Sequence, residues 1–218
     1  MCIRDSSWLA HPDSDIEPVL DVEEYAHYAA RPNGIVHLTV PGSMFFFPSP
    51  DDLLNEEWAD YVEDDGQTVR RFSASYYAAL FEEELNVSVV ACLGQGSACA
   101  AAAFAERGIE AMDLGLAEDG SSMLRGLDQL LAVSRAAPGA VAVHSGHGFE
   151  WPAYVGTLVT AFLISRAGFE EGSARAWLRM VSPWGPAAAP TPAQADACGG
   201  AGCLWVLLNE PTPWLLFK

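Results

Sequence analysis

A short apolar run that ends in a glycine-punctuated loop, followed by a second apolar segment, constrains the fold of this chain more than any other feature. Residues 140–158 read AVAVHSGHGFEWPAYVGTL. The pattern predicts a strand over 140–145, a loop that contains Gly146 and Gly148, and a helix over 155–167. Backbone N–H groups of a loop at a helix N-terminus can hold an anion without any side chain. This stretch is therefore the first candidate for a functional site.

The segments around this stretch predict an α/β fold. A strand pair is expected over 35–40 and 43–47, joined by the turn dipeptide Pro41-Gly42. Because β-α-β alternation implies parallel pairing, we expect a central, mostly parallel sheet flanked by helices on both faces. Further strand patterns lie at 86–93 and 109–116, and further helix patterns lie at 21–29, 74–85, 97–107, 122–135 and 170–180.

The domain organisation follows from where these patterns begin and end. Residues 21–185 are expected to form one domain. Residues 1–20 are expected to be a non-native or unstructured leader, because the opening MCIRDS resembles translated sequencing-adaptor sequence. Residues 186–218 are expected to be a low-complexity tail. Within the domain, residues 49–67 are acidic and turn-rich, which predicts a solvated surface loop, with a specific cation site as the alternative.

Charge and composition limit the classes of partner. The chain of 218 residues has 29 acidic residues against 11 Lys and Arg, which gives a net charge of -18. Such a surface repels nucleic acid and anionic lipid, so we expect neither as a partner. We find no apolar run long enough to cross a bilayer and no signal-peptide layout, so we expect an intracellular protein, cytoplasmic or nuclear.

The cysteines indicate neither a disulfide framework nor a metal site. They stand at positions 2, 92, 99, 198 and 203. An odd number fits a reducing compartment better than paired bridges. Cys198 and Cys203 lack the C-x-x-C spacing, and no histidine follows them, so we expect no metal and no cofactor.

The central loop resembles a known phosphate-binding loop. Val143-His144, Gly148 three residues after Ser145, and the helix opening at Gly156 are similar to the His-Cys-x5-Arg loop of the cysteine-dependent protein phosphatases, the protein tyrosine phosphatase superfamily. In that family a thiolate attacks phosphorus, an arginine and the loop amides hold the equatorial oxygens, and an aspartate protonates the leaving oxygen.

The N-terminal part carries a second resemblance to the same superfamily. Residues 21–25, DVEEY, then His27-Tyr28 and Pro41-Gly42 before an aromatic strand, resemble the entry to the catalytic half of the cell-division-cycle dual-specificity phosphatases that act at mitotic exit. The resemblance covers about residues 20–185. It implies a phosphatase-like central, mostly parallel sheet flanked by helices on both faces, with only the catalytic half of that family present.

Two positions of the loop depart from the family. Ser145 stands at the position of the nucleophilic cysteine, and Trp151 stands at the position of the arginine. Asp119 matches the general acid, although Met123 replaces the proline usual after it. Trp151 is expected to plug the former pocket or to lie exposed as a contact residue.

The other loop residues have roles that the resemblance implies. His144 orients the loop in the family. Glu150 would repel phosphate if it faced the pocket, or it points to water. A Ser145–His147–Asp119 triad is a further alternative. The full set of expected phosphate-loop residues is His144, Gly146, His147, Gly148, Phe149, Glu150 and Gly156.

These departures lead to two hypotheses about function. The first is a catalytically inactive phosphatase-like domain that binds protein segments, either basic segments or segments that contain phosphoserine-proline. The alternative is an active protein phosphatase or other hydrolase that uses Ser145 with Asp119 as general acid.

Overall fold

The computed structural model describes residues 21–54, 56–62, 66–94, 98–114, 120–144, 159–160 and 162–181. The strands are β1 (His37–Val40), β2 (Met44–Phe46), β3 (Trp58–Val62), β4 (Thr68–Phe72), β5 (Val87–Cys92), β6 (Glu110–Asp113) and β7 (Ala140–His144). The helices are α1 (Val22–Ala29), α2 (Ala74–Glu83), α3 (Ala98–Glu106), α4 (Gly120–Ala136) and α5 (Glu171–Val181), with helical residues also at 159–160 and 162–167. The expected leader over 1–20 and tail over 186–218 lie outside the described residues.

A five-stranded sheet in the order β1-β2-β7-β5-β6 forms the centre of the molecule. Strands β2, β7, β5 and β6 are parallel, and only the edge strand β1 pairs antiparallel, with β2. The connections from β5 to β6 and from β6 to β7 each contain a helix, as parallel pairing requires. The expected α/β class with a mostly parallel sheet is confirmed.

Strand β7 is buried on both faces, and its alternate residues pack against the two layers of helices. Val141 and Val143 pack in a core with residues of α4, α5 and the helical segment at 162–167. Ala140 and Ala142 pack in a second core with residues of α2 and α3. This arrangement explains why the strand reads as a continuous apolar run, and it confirms the expectation of helices on both faces.

Local sequence signals set the ends of the first helix. The Asp21 side chain accepts hydrogen bonds from the backbone N–H groups of Glu23 and Glu24 at 2.9 and 3.1 Å, which makes it the N-cap of α1. Gly34 follows the short 3-10 turn Arg31–Asn33 with φ of 102°, a conformation that favours glycine. Helix α1 is joined to α5 by the Tyr25 hydroxyl, which donates to the Val181 carbonyl at 2.8 Å.

The expectation of a loop over 49–67 is wrong for part of that segment. Strand β3 lies within it and pairs antiparallel with β4 in a separate two-stranded sheet. Asp60 and Arg70 face each other across the pair and form a two-bond ion pair at 2.8 and 2.9 Å. Both faces of this hairpin are largely exposed. Its charged residues therefore do not show the alternation of apolar and polar residues that marks a half-buried strand in a sequence.

The remaining differences are small. Helix α4 begins at Gly120, two residues before the expected start at 122. Among the described residues, no helix has both the length and the apolar character needed to cross a membrane.

Candidate functional site

The carboxyl ends of four parallel strands meet at one edge of the sheet. Cys92 of β5 is in register with both His144 of β7 and Asp113 of β6. Hydrogen bonds between strands continue one residue beyond the ends, since Leu93 N donates to His144 O and Leu114 N donates to Cys92 O, each at 2.8 Å. The carboxyl end of β7 at His144 is therefore fixed by a hydrogen bond to the β5 side. Such edges are where α/β proteins bind their ligands.

His144 is the one predicted site residue that lies within the described part of the chain. It is buried, with 4% of its surface exposed. Its ring lies 5.1 Å from that of Phe47, which also packs against Tyr77 and Phe81 of α2. His144 is thus anchored in an aromatic cluster immediately before the loop. This placement suits a residue that positions a loop, and a role in hydrogen bonding to the loop stays a prediction.

The other predicted site residues lie outside the described residues, so their roles stay predictions. Strands β6 and β7, which precede them in the sequence, lie in one sheet with β5 between them. The chain leaves β6 at Asp113 and enters α4 at Gly120, directly after Asp119, and it leaves β7 at His144, directly before Ser145. The predicted site residues outside the described part of the chain are Asp119, Ser145, Gly146, His147, Gly148, Phe149, Glu150, Trp151 and Gly156.

Cys92 is a thiol next to His144 that sequence reasoning did not single out. Its Sγ donates to the Gly94 carbonyl at 3.1 Å. Burial, with a smaller contribution from the charge of Asp113, raises the pKa of this thiol. A thiol whose pKa is raised is a poor nucleophile at neutral pH, which disfavours a nucleophilic role for Cys92. Among the described residues, no group of three or more His, Cys, Asp or Glu could hold a metal ion.

A pocket of about 150 Å³ opens beside α2 and α3. Three connections place it at the carboxyl edge of the sheet: Pro50 follows the end of β2, Ser73 caps the start of α2, and Ala100 lies in the first turn of α3 after β5. Sequence reasoning missed it because its walls come from three separated segments. The lining residues are Pro50, Asp51, Asp52, Leu53, Ser73, Ala74, Ser75, Ala100 and Ala103.

The base of this pocket is ordered by hydrogen bonds. Asp51 N donates to Phe72 O at 2.9 Å, which fixes the segment after β2 against β4. The Ser73 hydroxyl accepts from Tyr76 N at 3.2 Å and lies 2.9 Å from the Ser75 hydroxyl. The first turn of α2 is therefore already capped from within the chain.

Comparison with known proteins adds likeness to solved phosphatase structures. No protein-family model matches the sequence, and no curated protein sequence matches it. The kinase associated phosphatase KAP, in a form with serine in place of its catalytic-site cysteine, is 13% identical with a TM-score of 0.49, over 71% of this chain and 83% of that one. Tk-PTP in its active form is 17% identical with a TM-score of 0.44, over 72% and 90%. Human DUSP28 is 18% identical with a TM-score of 0.40, over 73% and 93%.

These three TM-scores lie below 0.5. The assignment of the chain therefore rests on its own sheet order and its own layers of helices. The chain is an α/β protein with a mostly parallel central sheet whose carboxyl edge carries the candidate site.

Proposed function

We propose that this chain is a phosphatase-like domain of the dual-specificity, mitotic-exit type that has lost phosphoryl transfer and binds protein segments instead. The sequence after β7 supports the likeness, and the end of β7 at His144, where that sequence begins, lies at the carboxyl edge of a parallel sheet, which fits it. Ser145 and Trp151 at the positions of the nucleophile and the arginine support the loss.

The observation that carries the proposal is the lack of any positive charge in the loop and its flanks. Between Arg135 and Arg166 the sequence contains no Lys or Arg. Arg135 is the second-last residue of α4, before the amino end of β7, and the strand then rises roughly 13 Å to His144. Arg166 lies in the helical residues 162–167. Arg135 is therefore displaced from the carboxyl end of β7 by the length of that strand.

The lost arginine has a large energetic consequence. A bidentate arginine makes two charge-assisted hydrogen bonds to a phosphate, each worth about 1.5–3 kcal/mol. Their loss weakens phosphate binding by a factor on the order of 10² to 10⁴. The replacement of cysteine by serine weakens catalysis further. A helix N-terminus and a nearby cation can lower the pKa of a thiol into the neutral range, whereas the pKa of a serine hydroxyl starts much higher. We infer that neither binding nor attack at phosphorus is retained.

The alternative hypothesis, an active phosphatase or hydrolase, needs a cation from elsewhere in the fold. Arg125 is such a residue, since it is exposed in the second turn of α4 and that helix starts at the same edge of the sheet. In this alternative Ser145 attacks and Asp119 protonates the leaving group. The replacement Arg125→Gln would then abolish binding of inorganic phosphate, whereas our proposal expects no such binding in the wild type.

The proposal predicts how the domain treats phosphorylated and unphosphorylated segments. We expect a synthetic basic peptide that contains Ser-Pro to bind, because the chain carries a net charge of -18. Since the arginine is missing, phosphorylation of that serine should not strengthen binding and, by repulsion, should weaken it. Fluorescence anisotropy with labelled peptides measures both affinities.

The control is a peptide of the same length in which the basic residues are replaced by glutamine. We expect it to bind weakly, and we expect the affinity of the basic peptide to fall as salt rises. Binding of the phosphorylated peptide that is tenfold tighter than that of the unphosphorylated one would refute the loss of the phosphate site.

A further inference from the structure

We propose that the pocket beside α2 and α3 receives a lysine side chain from a basic segment of a partner protein. The pocket lies outside β7 and its loop, so this inference goes beyond the proposed function. A lysine could bind there whether or not the loop holds phosphate. Conversely, an empty pocket would leave the account of the loop unchanged.

The charge of the pocket selects for a cation. Asp51 and Asp52 are the charged residues among its lining side chains, and no Lys or Arg belongs to that lining. Asp52 is exposed at the mouth. Asp51 lies 3.4 Å from Arg71, an ion pair in which the arginine side chain is 44% exposed. Arg71 therefore already accompanies Asp51, and the exposed Asp52 is the carboxylate that meets a second cation at the mouth of the pocket.

The shape and the apolar wall fit the stem of lysine. Ala74, Ala100 and Ala103 present methyl groups, and Leu53 adds a branched apolar side chain. Lysine buries its methylene stem along such surfaces while its ammonium stays near water and carboxylates. The pocket volume of about 150 Å³ equals that of an engineered cavity that binds benzene, a molecule similar in size to the stem and ammonium of lysine.

An anionic occupant is disfavoured even though a helix begins at the pocket. The N-terminus of α2 would attract an anion through its unpaired N–H groups. Here Ser73 already accepts the Tyr76 N–H, and two carboxylates stand at the same opening. At an effective dielectric near 20, an anion about 4 Å from one carboxylate is repelled strongly. The chemistry of the pocket is thus opposite to that of a phosphate site.

The test uses the full chain labelled with ¹⁵N and a small lysine probe, Nα-acetyl-lysine N-methylamide. We expect the probe to shift the backbone amide signals of Leu53, Ser75, Ala100 and Ala103. The matched probe Nα-acetyl-norleucine N-methylamide has the same stem without the ammonium, and inorganic phosphate is the anionic probe. Neither should shift these signals. Equal shifts from the norleucine probe, or shifts from phosphate, would overturn the proposal.

Two variants locate the binding. Asp51→Asn/Asp52→Asn should weaken the lysine probe about tenfold, the size expected when a charge-assisted contact is lost. The control Glu110→Gln/Glu170→Gln makes the same change in net charge at exposed positions outside the pocket lining and should change the affinity less than about twofold.

The second variant, Ala103→Met, keeps the test decisive if Asp51→Asn/Asp52→Asn misfolds. It retains both carboxylates and fills the pocket, so it should also abolish the amide shifts. If the aspartate variant fails to fold, this variant decides the outcome. Wild-type affinity in Ala103→Met, or in a folded Asp51→Asn/Asp52→Asn, would show that the lysine does not enter this pocket.

Discussion

Gly139, at the amino end of β7, is predicted to be intolerant of even a single added methyl group. A Cβ atom built there would lie 2.2 Å from the Asn86 carbonyl oxygen and 3.4 Å from the Ser88 Cβ. The same Asn86 oxygen accepts a hydrogen bond from Ala140 N at 2.9 Å, and Gly139 N donates to the Ser88 hydroxyl at 3.1 Å. The added methyl group would therefore collide with the carbonyl oxygen that accepts the hydrogen bond at the start of the pairing of β7 with β5.

The cost of Gly139→Ala follows from these contacts. The atom that the added Cβ would meet is the backbone oxygen of Asn86, so the two strands must move apart by about 0.8 Å. Overpacking of this kind costs about 1–3 kcal/mol. Weakening of the Ala140–Asn86 hydrogen bond adds about 0.5–1.5 kcal/mol. Together they give a destabilisation of about 1.5–4.5 kcal/mol. For a chain of this size the Tm should fall by roughly 3–18 °C.

Thermal unfolding followed by circular dichroism measures this change. The matched control is Gly172→Ala in α5, where an added Cβ has nothing within 4 Å. It should raise stability by about 0.4–1 kcal/mol, because alanine restricts the unfolded chain more than glycine does. The two substitutions thus have opposite expected signs. An unchanged Tm for Gly139→Ala, or equal shifts for both variants, would refute the reasoning about the strand junction.

Three further predictions concern the core, the pH dependence and the loop. Trp177→Phe removes the buried bond from the indole N–H to Thr39 O at 2.7 Å and should cost about 1–3 kcal/mol in urea unfolding. Burial lowers the pKa of His37 to about 4, so the unfolded chain takes up the proton first. Stability should therefore fall by up to roughly 3 kcal/mol as pH drops from about 6.5 to 4, and His37→Gln should remove that part. Ser145→Cys/Trp151→Arg should restore little hydrolysis of an aryl phosphate, because the family resemblance makes Pro152, Ala153 and Tyr154 an insertion before the helix. Misplacement of a catalytic group by about 1 Å can cost on the order of 10²-fold in rate.

The sheet could be predicted from the sequence because its strands carry their own signals. Residues 86–93 and 140–145 are apolar runs bounded by turns and helix patterns, which is typical of strands buried on both faces. Asp21 and Gly34 mark the ends of the first helical segment through local hydrogen bonding and backbone conformation. These signals act over a few residues, so no tertiary information was needed.

The hairpin and the pocket depend on contacts that the sequence does not display locally. Trp58 and Val62 are exposed, and the Arg70 guanidinium lies 3.7 Å from the centre of the Trp58 ring, so no apolar alternation marks β3. The pocket joins segments at 50–53, 73–75 and 100–103, which meet only when the sheet has formed. Cys92 was missed for the same reason, since only the register of β5 with β7 brings it beside His144.

The central claim is that this loop no longer performs phosphoryl transfer, and turnover of para-nitrophenyl phosphate tests it most directly. The measurement compares the wild type with Ser145→Ala and Asp119→Ala, each verified as folded by circular dichroism. We predict that release of para-nitrophenol by the wild type is indistinguishable from the buffer blank and from both variants. Turnover by the wild type that Ser145→Ala or Asp119→Ala abolishes would contradict the account and establish an active hydrolase.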